Sequence, residues 1–254
     1  MKITFLGTCS GTEPMPGRHH SSILFEVADR YYWFDAGENC SYAASEIGVD
    51  FRRVRAIFIS HMHIDHIGGL ANLLFTVRKI ELMTKTEHAF GNSFDIFVPD
   101  LKKFESVKDV AGARYSESVS IVEHLIEDGV IFDDGIMKVT AMHNTHLKEN
   151  GDNGWHSYSF LIEAEGKKIV FSGDVGYPEE LDPLLDGGCD AYIMETGHHT
   201  PEKVLIYAKE KGAKKLFFTH HGRIILGDYE GSVELASTLH PDAHIMNDKD
   251  TVIL

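Results

Sequence analysis

The segment Ser60–Gly69 concentrates four side chains of the types that bind metals in proteins. It reads SHMHIDHIGG and continues the apolar run AIFIS. His61 and His63 are two residues apart, so in an extended backbone their side chains point the same way. A turn at Asp65 and His66 brings two more potential ligands to a neighbouring position, and the glycine pair that follows lets the chain turn closely into a helix. The spacing therefore predicts a loop that serves two metals. It differs from the helical HExxH motif, whose histidines are four residues apart.

Three later strand-like runs also end in potential metal ligands. VTAMHNTH carries His143 and His146, KIVFSGD ends in Asp174, and KLFFTHHG carries His220 and His221. Functional sites in layered α/β proteins gather at the carboxyl ends of strands. We therefore expect these residues to meet the loop after AIFIS at one site. The residues alone leave open which histidine of each pair contributes.

The rest of the chain supplies the elements that must position these side chains. Runs rich in Ile, Val, Phe and Tyr predict strands at Ile3–Leu6, Ser22–Val27, Tyr31–Asp35, Ala56–Ser60, Asp95–Val98, Lys138–Met142, Tyr158–Ala164, Lys168–Ser172, Ala191–Met194 and Lys215–Thr219. Apolar spacing and terminal residues predict helices at Gly69–Ile80, at Pro201–Lys211 with Thr200 as its cap, and at Ser232–Leu239. Periodicity is weak in Glu81–Asp134. Sheets with helices outside them fit this order best.

Composition narrows the class of protein. The chain has 254 residues, a hydrophobic fraction of 43% and a formal net charge of −15, which disfavours a nucleic-acid coat protein or a partner of acidic lipid. No apolar run approaches the ~20 residues of a membrane span, and the start is too short for a signal peptide. The 3 cysteines are widely spaced without a CxxC, which indicates reduced thiols in a cytoplasmic protein. The 16 histidines point to metal or proton chemistry.

The motif HMHIDH, followed by a distant His, then SGD and then THH, resembles the metallo-β-lactamase superfamily. The opening FLGTCSGTEPMPGRHHSSILFEV, with YYWFDAGE after it, is similar to the start of the ribonuclease Z branch and its phosphodiesterase relatives. The resemblance covers most of the chain and is weakest over Glu81–Asp134. It implies an α/β protein with an αβ/βα four-layer sandwich, formed by a single domain spanning 1–254. The metals are then expected in a cleft along one edge.

The resemblance also implies a ligand set. Metal one is held by His61, His63 and His146; metal two is held by Asp65, His66 and His220; Asp174 bridges them. His146 is preferred over His143, and His220 over His221, because of their offsets from the strands. The cofactors are then two divalent metal ions. Zinc is the default for nitrogen and oxygen ligands of this kind, and manganese or iron also fit.

The implied activity is that of a dinuclear metal-dependent hydrolase, a ribonuclease Z-like phosphodiesterase. A metal-bridging hydroxide would attack a phosphodiester of nucleotide or RNA type, and the Asp65 carboxylate would offset part of the metal charge. His198 and Thr200 resemble the His-x-Thr element of the branch, in which the histidine is a general acid, and Glu195 would orient His198. Alternatively, this segment is only a polar helix cap. The resemblance places Asp35 close to the metal loop; alternatively, Asp35 is only a turn residue at the end of a strand.

Two other functions remain open. The same metals would serve a lactone, β-lactam or thioester hydrolase, or would stabilise a binding protein without turnover. Two departures from ribonuclease Z stand out, since the sequence has no Gly-rich basic arm and its net charge is −15. The resemblance implies a homodimer. Trp155 is expected near the cleft mouth, or else packed under the polar loop after His146.

Overall fold

The computed structural model describes residues 1–11, 17–112, 119–147 and 154–254, and it describes 81 and 82 without their side chains. Most of the polar loop after His146 therefore lies outside the described residues. In the described part, the strands are β1 Lys2–Gly7, β2 Ser22–Val27, β3 Arg30–Phe34, β4 Val54–Phe58, β5 Ser93–Val98, β6 Ser120–Leu125, β7 Gly129–Asp133, β8 Met137–His143, β9 Tyr158–Ala164, β10 Lys167–Phe171, β11 Ala191–Thr196, β12 Leu216–His221, β13 Ala243–Ile245 and β14 Thr251–Ile253.

Helices connect and cover the strands. In the described part they are α1 Cys40–Glu46, α2 Ile64–Ile67, α3 Leu70–Thr84, α4 Leu101–Val110, α5 Asp182–Leu185, α6 Pro201–Glu210, α7 Arg223–Gly227 and α8 Tyr229–Leu239. Short 3-10 turns precede β4 and α5. None of these helices combines the length and the apolar character that crossing a membrane requires.

The strands form two sheets of the same design. The first has the order β14-β1-β2-β3-β4-β5-β6 and the second β13-β12-β11-β10-β9-β8-β7, so each sheet has 7 strands. In the first, the pairs β14–β1, β1–β2 and β2–β3 are antiparallel, and the pairs from β3 to β6 are parallel. In the second, the pairs from β7 to β10 are antiparallel, and those from β10 to β13 are parallel. The structure thus repeats one strand pattern that is not visible as a repeat in the sequence.

Successive side chains along each strand point to opposite faces of the sheet, and this alternation explains the layers. Phe34 faces the second sheet, where its ring lies 5.7 Å from that of Phe160 and 6.1 Å from that of Phe171. The neighbouring Trp33 faces the other way and stacks on Phe51 at 6.2 Å. The outer face of the first sheet is covered by α1, α3 and α4, and that of the second by α5, α6 and α8. The predicted αβ/βα four-layer sandwich is confirmed.

The predicted strands and helices are all present, with ends that differ by a few residues. The sequence did not predict β6, β7, β13 and β14, nor the helices α1, α2, α4, α5 and α7. Thr200 occupies the cap position of α6, but its side chain makes no capping hydrogen bond. Pro201 at the first helical position lacks an amide hydrogen, so this helix end has one fewer unpaired donor.

Candidate metal centre

The loop after β4 is held in place by Asp35, as the sequence predicted for a residue near the metal loop. The buried Asp35 carboxylate accepts hydrogen bonds from the Ser60 amide at 2.7 Å and from the Ser60 hydroxyl at 2.8 Å. Its Oδ2 lies 2.7 Å from Nδ1 of His66. Asp35 has φ of 54°, in the left-handed region that side-chain-bearing residues rarely adopt. This costly conformation aims the carboxylate at His66 and turns the other ring nitrogen, Nε2, toward the site.

Three histidines form a first ligand group. One ring nitrogen from each of His61, His63 and His146 lies within 4.8 Å of the others. His63 Nδ1 is 3.4 Å from His146 Nε2. His61 is fully buried at the end of β4, whereas His146 follows β8 in the second sheet. The group therefore draws on both sheets.

A second ligand group lies beside the first. It contains Asp65, His66 and His220, with one ligand atom from each lying within 4.8 Å of the others. His220 Nε2 is 3.1 Å from Asp65 Oδ2, and His66 Nε2 is 3.6 Å from the same oxygen.

Asp174 lies between the two groups. Its Oδ2 is 3.8 Å from His61 Nε2 and 3.7 Å from His146 Nε2 on one side. On the other side, Oδ1 is 3.4 Å from His66 Nε2, and Oδ2 is 3.5 Å from His220 Nε2. One carboxylate is thus within reach of ions held by either group.

Buried polar atoms in this cluster lack protein partners among the described residues. They include His61 Nε2, His66 Nε2 and Asp174 Oδ1. Leaving such an atom unsatisfied costs about 1–3 kcal/mol, and three of them converge on one spot. Nitrogen and carboxylate oxygen donors, aimed inward and deprived of water, fit divalent cations.

Burial and neighbouring charges set the protonation of the cluster. Burial lowers the pKa of His61 well below its usual value, which favours the neutral imidazole that binds a metal. Burial alone raises the pKa of Asp174, but the nearby His220 and His66 reverse this effect and bring that pKa well below its usual value. The resulting pair of a neutral imidazole and an ionised carboxylate is the form that coordinates cations.

His220 requires an unusual local backbone. It has φ of 51°, and the pairing of β11 with β12 shifts register beside it, between Glu195 and Thr196. A Cβ on Gly197 would lie 2.6 Å from His220 Nδ1, so a larger residue has no room there. The bulge and the glycine together turn the His220 ring toward Asp65.

Glu195 and His198 form a pair at the rim of the cluster. Glu195 accepts a hydrogen bond from the His198 amide at 2.9 Å, and its Oε1 is 3.0 Å from His198 Nδ1. This contact raises the pKa of His198. Burial alone raises the pKa of Glu195, but the hydrogen bond with His198 and the nearby His220 imidazole outweigh it and lower that pKa to about 2. His198 Nδ1 is also 3.8 Å from Asp174 Oδ2, and the His198 side chain is 45% exposed. The pair therefore presents a proton-carrying imidazole beside the ligand groups.

A cavity of about 340 Å³ opens onto the cluster. Its wall is formed by Ser10, Gly11, His63, Ile64, Asp65, His146, Asp174, Gly197, His198 and His220. Its size falls in the ~300–1,000 Å³ range of small-molecule sites. The sequence analysis missed Ser10 and Gly11, although a glycine shortly after the end of β1 is a signal of close backbone approach.

The structure brings together all seven predicted ligands, together with Glu195 and His198, and leaves out the alternatives. His143 lies 2.6 Å from Asp128 through Nδ1 and stacks on Trp155 at 4.0 Å. His221 points away from the cluster, with Nε2 2.8 Å from the Met246 carbonyl oxygen. Trp155 packs against the core between the sheets and is not among the residues that line the cavity, while most of the loop under which it was alternatively expected lies outside the described residues.

Comparisons with known proteins place this arrangement in a family. The family model described as Anti-Pycsar protein Apyc1 matches residues 1–237. Ribonuclease Z of Picrophilus torridus is 30% identical, over 87% of this chain and 85% of the relative. The chain is a ribonuclease Z-like member of the Apyc1 family.

Solved structures agree with the fold of this Apyc1-family chain. The metallo-β-lactamase fold protein YhfI of Bacillus subtilis matches with a TM-score of 0.78 at 19% identity, covering 99% of this chain and 98% of that one. The short form of human tRNase Z matches with a TM-score of 0.74 at 22% identity, covering 100% and 99%. The chain has the metallo-β-lactamase fold, and it is a metal-dependent hydrolase.

Proposed function

We propose that the chain is a dinuclear phosphodiesterase that acts on a nucleotide or RNA-type phosphodiester. Its first ion would be held by His61, His63 and His146, its second by Asp65, His66 and His220, and Asp174 would bridge them. The observation that carries the choice of reaction is the contact of 3.0 Å between His198 Nδ1 and Glu195 Oε1 beside the ligand groups. An alkoxide leaving a phosphorus centre needs a proton, and a histidine held by a carboxylate supplies one.

The two ions, when bound, would act as Lewis acids and lower the pKa of a shared water toward neutrality. Asp65 and Asp174 offset part of the charge of the ions. Asp65 also accepts a hydrogen bond from the Gly11 amide at 2.9 Å, which fixes its orientation. The His198 imidazole, held by Glu195 through Nδ1, keeps Nε2 available to protonate the departing oxygen. In this reading Asp65, Glu195 and His198 carry the catalysis.

The size and charge of the protein support a small substrate. A cavity of 340 Å³ accommodates a nucleotide-sized group. The net charge of −15 and the lack of a Gly-rich basic arm in the sequence weaken the attraction of a long RNA. A direct assay of tRNA alongside short phosphodiesters separates the two substrate classes.

The nature of the leaving group provides the test. We expect His198→Ala to slow hydrolysis of a dinucleoside phosphodiester by about 10²–10⁴-fold. Turnover of bis(p-nitrophenyl) phosphate should fall far less, because p-nitrophenolate leaves without a proton. His143→Ala is the matched control, since Nδ1 of His143 lies 2.6 Å from Asp128 Oδ2 and His143 does not line the cavity. Equal loss on both substrates would contradict the role of His198.

The alternative functions predict other outcomes. A wild-type enzyme that turns over lactones, β-lactams or thioesters but no phosphodiester would replace the proposed substrate class. An absence of turnover on all of these substrates, with metal bound, would favour a binding protein.

The proposal has four further parts: the metal is zinc, each chain binds two ions, the protein is a homodimer, and its location is cytoplasmic. The imidazole and carboxylate ligands support zinc, with manganese or iron also compatible. The buried Cys40 and Cys189, whose pKa values burial raises to about 12, are inert thiols that suit a reducing compartment. Metal analysis of the purified protein and analytical ultracentrifugation test the first three points.

A further inference from the structure

The segment 8–11, which directly follows β1, contacts the second ligand group. We call it the strap. Its last residue, Gly11, donates its amide hydrogen to Asp65 Oδ2 at 2.9 Å. A Cβ on Gly11 would lie 2.7 Å from the Asp65 carboxyl carbon, so the strap backbone lies flat against this ligand. The orientation of the Asp65 carboxylate therefore depends on where the strap is held.

The strap also fixes the backbone beside His220. The amide of His221 donates to the Thr8 carbonyl oxygen at 2.7 Å, and the Ser10 amide donates to the His221 carbonyl oxygen at 3.2 Å. His221 directly follows His220, whose φ of 51° must be maintained by its surroundings. The strap thus binds one ligand of the second group, Asp65, directly, and it binds the backbone of the residue next to another ligand, His220.

Asp248, near the carboxyl end of the chain, holds the other end of the strap. Its side chain is 6% exposed. It accepts hydrogen bonds from the Thr8 amide at 3.0 Å and from the Thr8 hydroxyl at 2.7 Å. It also accepts one from the His19 amide at 2.6 Å, and its Oδ2 lies 2.7 Å from His19 Nδ1. One carboxylate therefore joins the strap, the segment that enters β2 and the segment that enters β14.

We propose that Asp248 is a positioning residue for the second metal, acting through the strap on Asp65 and His220. The inference rests on the proposed function, because it requires a second ion held by those ligands. An ionised carboxylate that accepts several hydrogen bonds is hard to replace, since an amide has only one oxygen to accept them. Loss of Asp248 should release the strap and loosen the second metal selectively. Changes in residues that orient a ligand typically cost roughly 10–100-fold in metal affinity.

Zinc affinity measured in two backgrounds tests this selectivity. The full chain is stripped with a chelator and titrated with zinc in competition with a chromogenic chelator. The His63→Ala background reports the second site, and the His220→Ala background reports the first. In the His63→Ala background, we expect Asp248→Asn to weaken zinc binding roughly 10–100-fold. In the His220→Ala background, it should leave zinc binding unchanged.

Two further variants keep the test decisive. Glu46→Gln removes the same charge from a carboxylate that pairs with Lys249 at 2.5 Å, next to Asp248, and should leave both affinities unchanged. Thr8→Val removes the hydroxyl bond to Asp248, together with the bond that this hydroxyl accepts from Arg18, and should give a smaller loss in the same background as Asp248→Asn. If Asp248→Asn does not fold, the zinc affinity of Thr8→Val in the two backgrounds tests the positioning role by itself.

The possible results separate the two hypotheses. If wild-type protein binds two zinc ions and Asp248→Asn weakens both sites equally, or neither, the positioning role is wrong while the proposed function stands. If wild-type protein binds no zinc, both the metal centre and the role of Asp248 are overturned.

Discussion

Gly197 gives a sharp test of the geometry around His220, because the structure states how much room an added methyl group would have. A Cβ built on Gly197 lies 2.6 Å from His220 Nδ1 and 2.8 Å from Cε1, whereas ordinary contacts begin at 3.4 Å. The shortfall is about 0.8 Å. In Gly197→Ala the His220 ring must therefore move.

The expected magnitude follows from that displacement. Metal–ligand distances tolerate about ±0.2 Å, and a misplacement of about 1 Å at a reacting centre costs about 10²-fold in rate. We therefore expect Gly197→Ala to lose one metal ion per chain and to lower kcat/KM on bis(p-nitrophenyl) phosphate by about 10²-fold. Overpacking also costs about 1–3 kcal/mol of folding stability.

Metal content by mass spectrometry, steady-state kinetics and thermal denaturation form the assay. Gly227→Ala in α7 is the matched control, because a Cβ at Gly227 meets nothing within 4 Å. It should retain the metal content and activity of the wild type. If Gly197→Ala does the same, the placement of His220 against Gly197 is wrong, and with it the account of how the second ligand group is aimed.

Three further outcomes follow from the contacts described above. His146→Ala should lose a metal ion, whereas His143→Ala should keep both and change only the fluorescence of the stacked Trp155; the reverse pattern in metal analysis would exchange their roles. His221→Leu should lower the free energy of unfolding by about 1–3 kcal/mol without loss of metal, because the Met246 carbonyl oxygen loses one of its donors and the Thr196 hydroxyl loses its contact with His221 Nδ1. Burial raises the pKa of Asp134, but hydrogen bonds from Met137, Tyr32 and other donors lower it below its usual value. Asp134 therefore stabilises the fold above the pKa of the unfolded chain, and this contribution fades as pH falls through the lower folded pKa. Asp134→Asn should cost about 1–3 kcal/mol at pH 7 and flatten the acid limb in chemical denaturation; an unchanged limb would contradict this.

The site was more predictable from the sequence than the edges of the sheets. The proposed ligands follow strand ends, so apolar runs followed by His or Asp indicated this set together with the alternatives His143 and His221, and the family resemblance chose among them. By contrast, β13 and β14 have 3 residues each, too short for a periodic signal. The edge strand β6 has no clear alternation of apolar and polar residues, because each of its faces carries both exposed and half-buried side chains.

Contacts between distant segments were beyond prediction. Asp248 is separated from Thr8 by 240 positions, and no local pattern marks it as a partner. The left-handed backbone at Asp35 and His220 was equally hidden, because tertiary contacts rather than residue type impose it. The expectation that Thr200 caps α6 through its side chain rested on local preference alone, and the structure does not realise it.

The division of the ligands between the two seven-stranded sheets has a consequence for how the protein matures. His61 to His66 belong to the first half of the chain, whereas His146, Asp174 and His220 belong to the second, and Asp65 meets His220 across 155 positions. Neither half alone carries a complete coordination sphere. Under the proposed function, ion uptake requires both halves to be assembled, and the binding energy of each ion would oppose their separation.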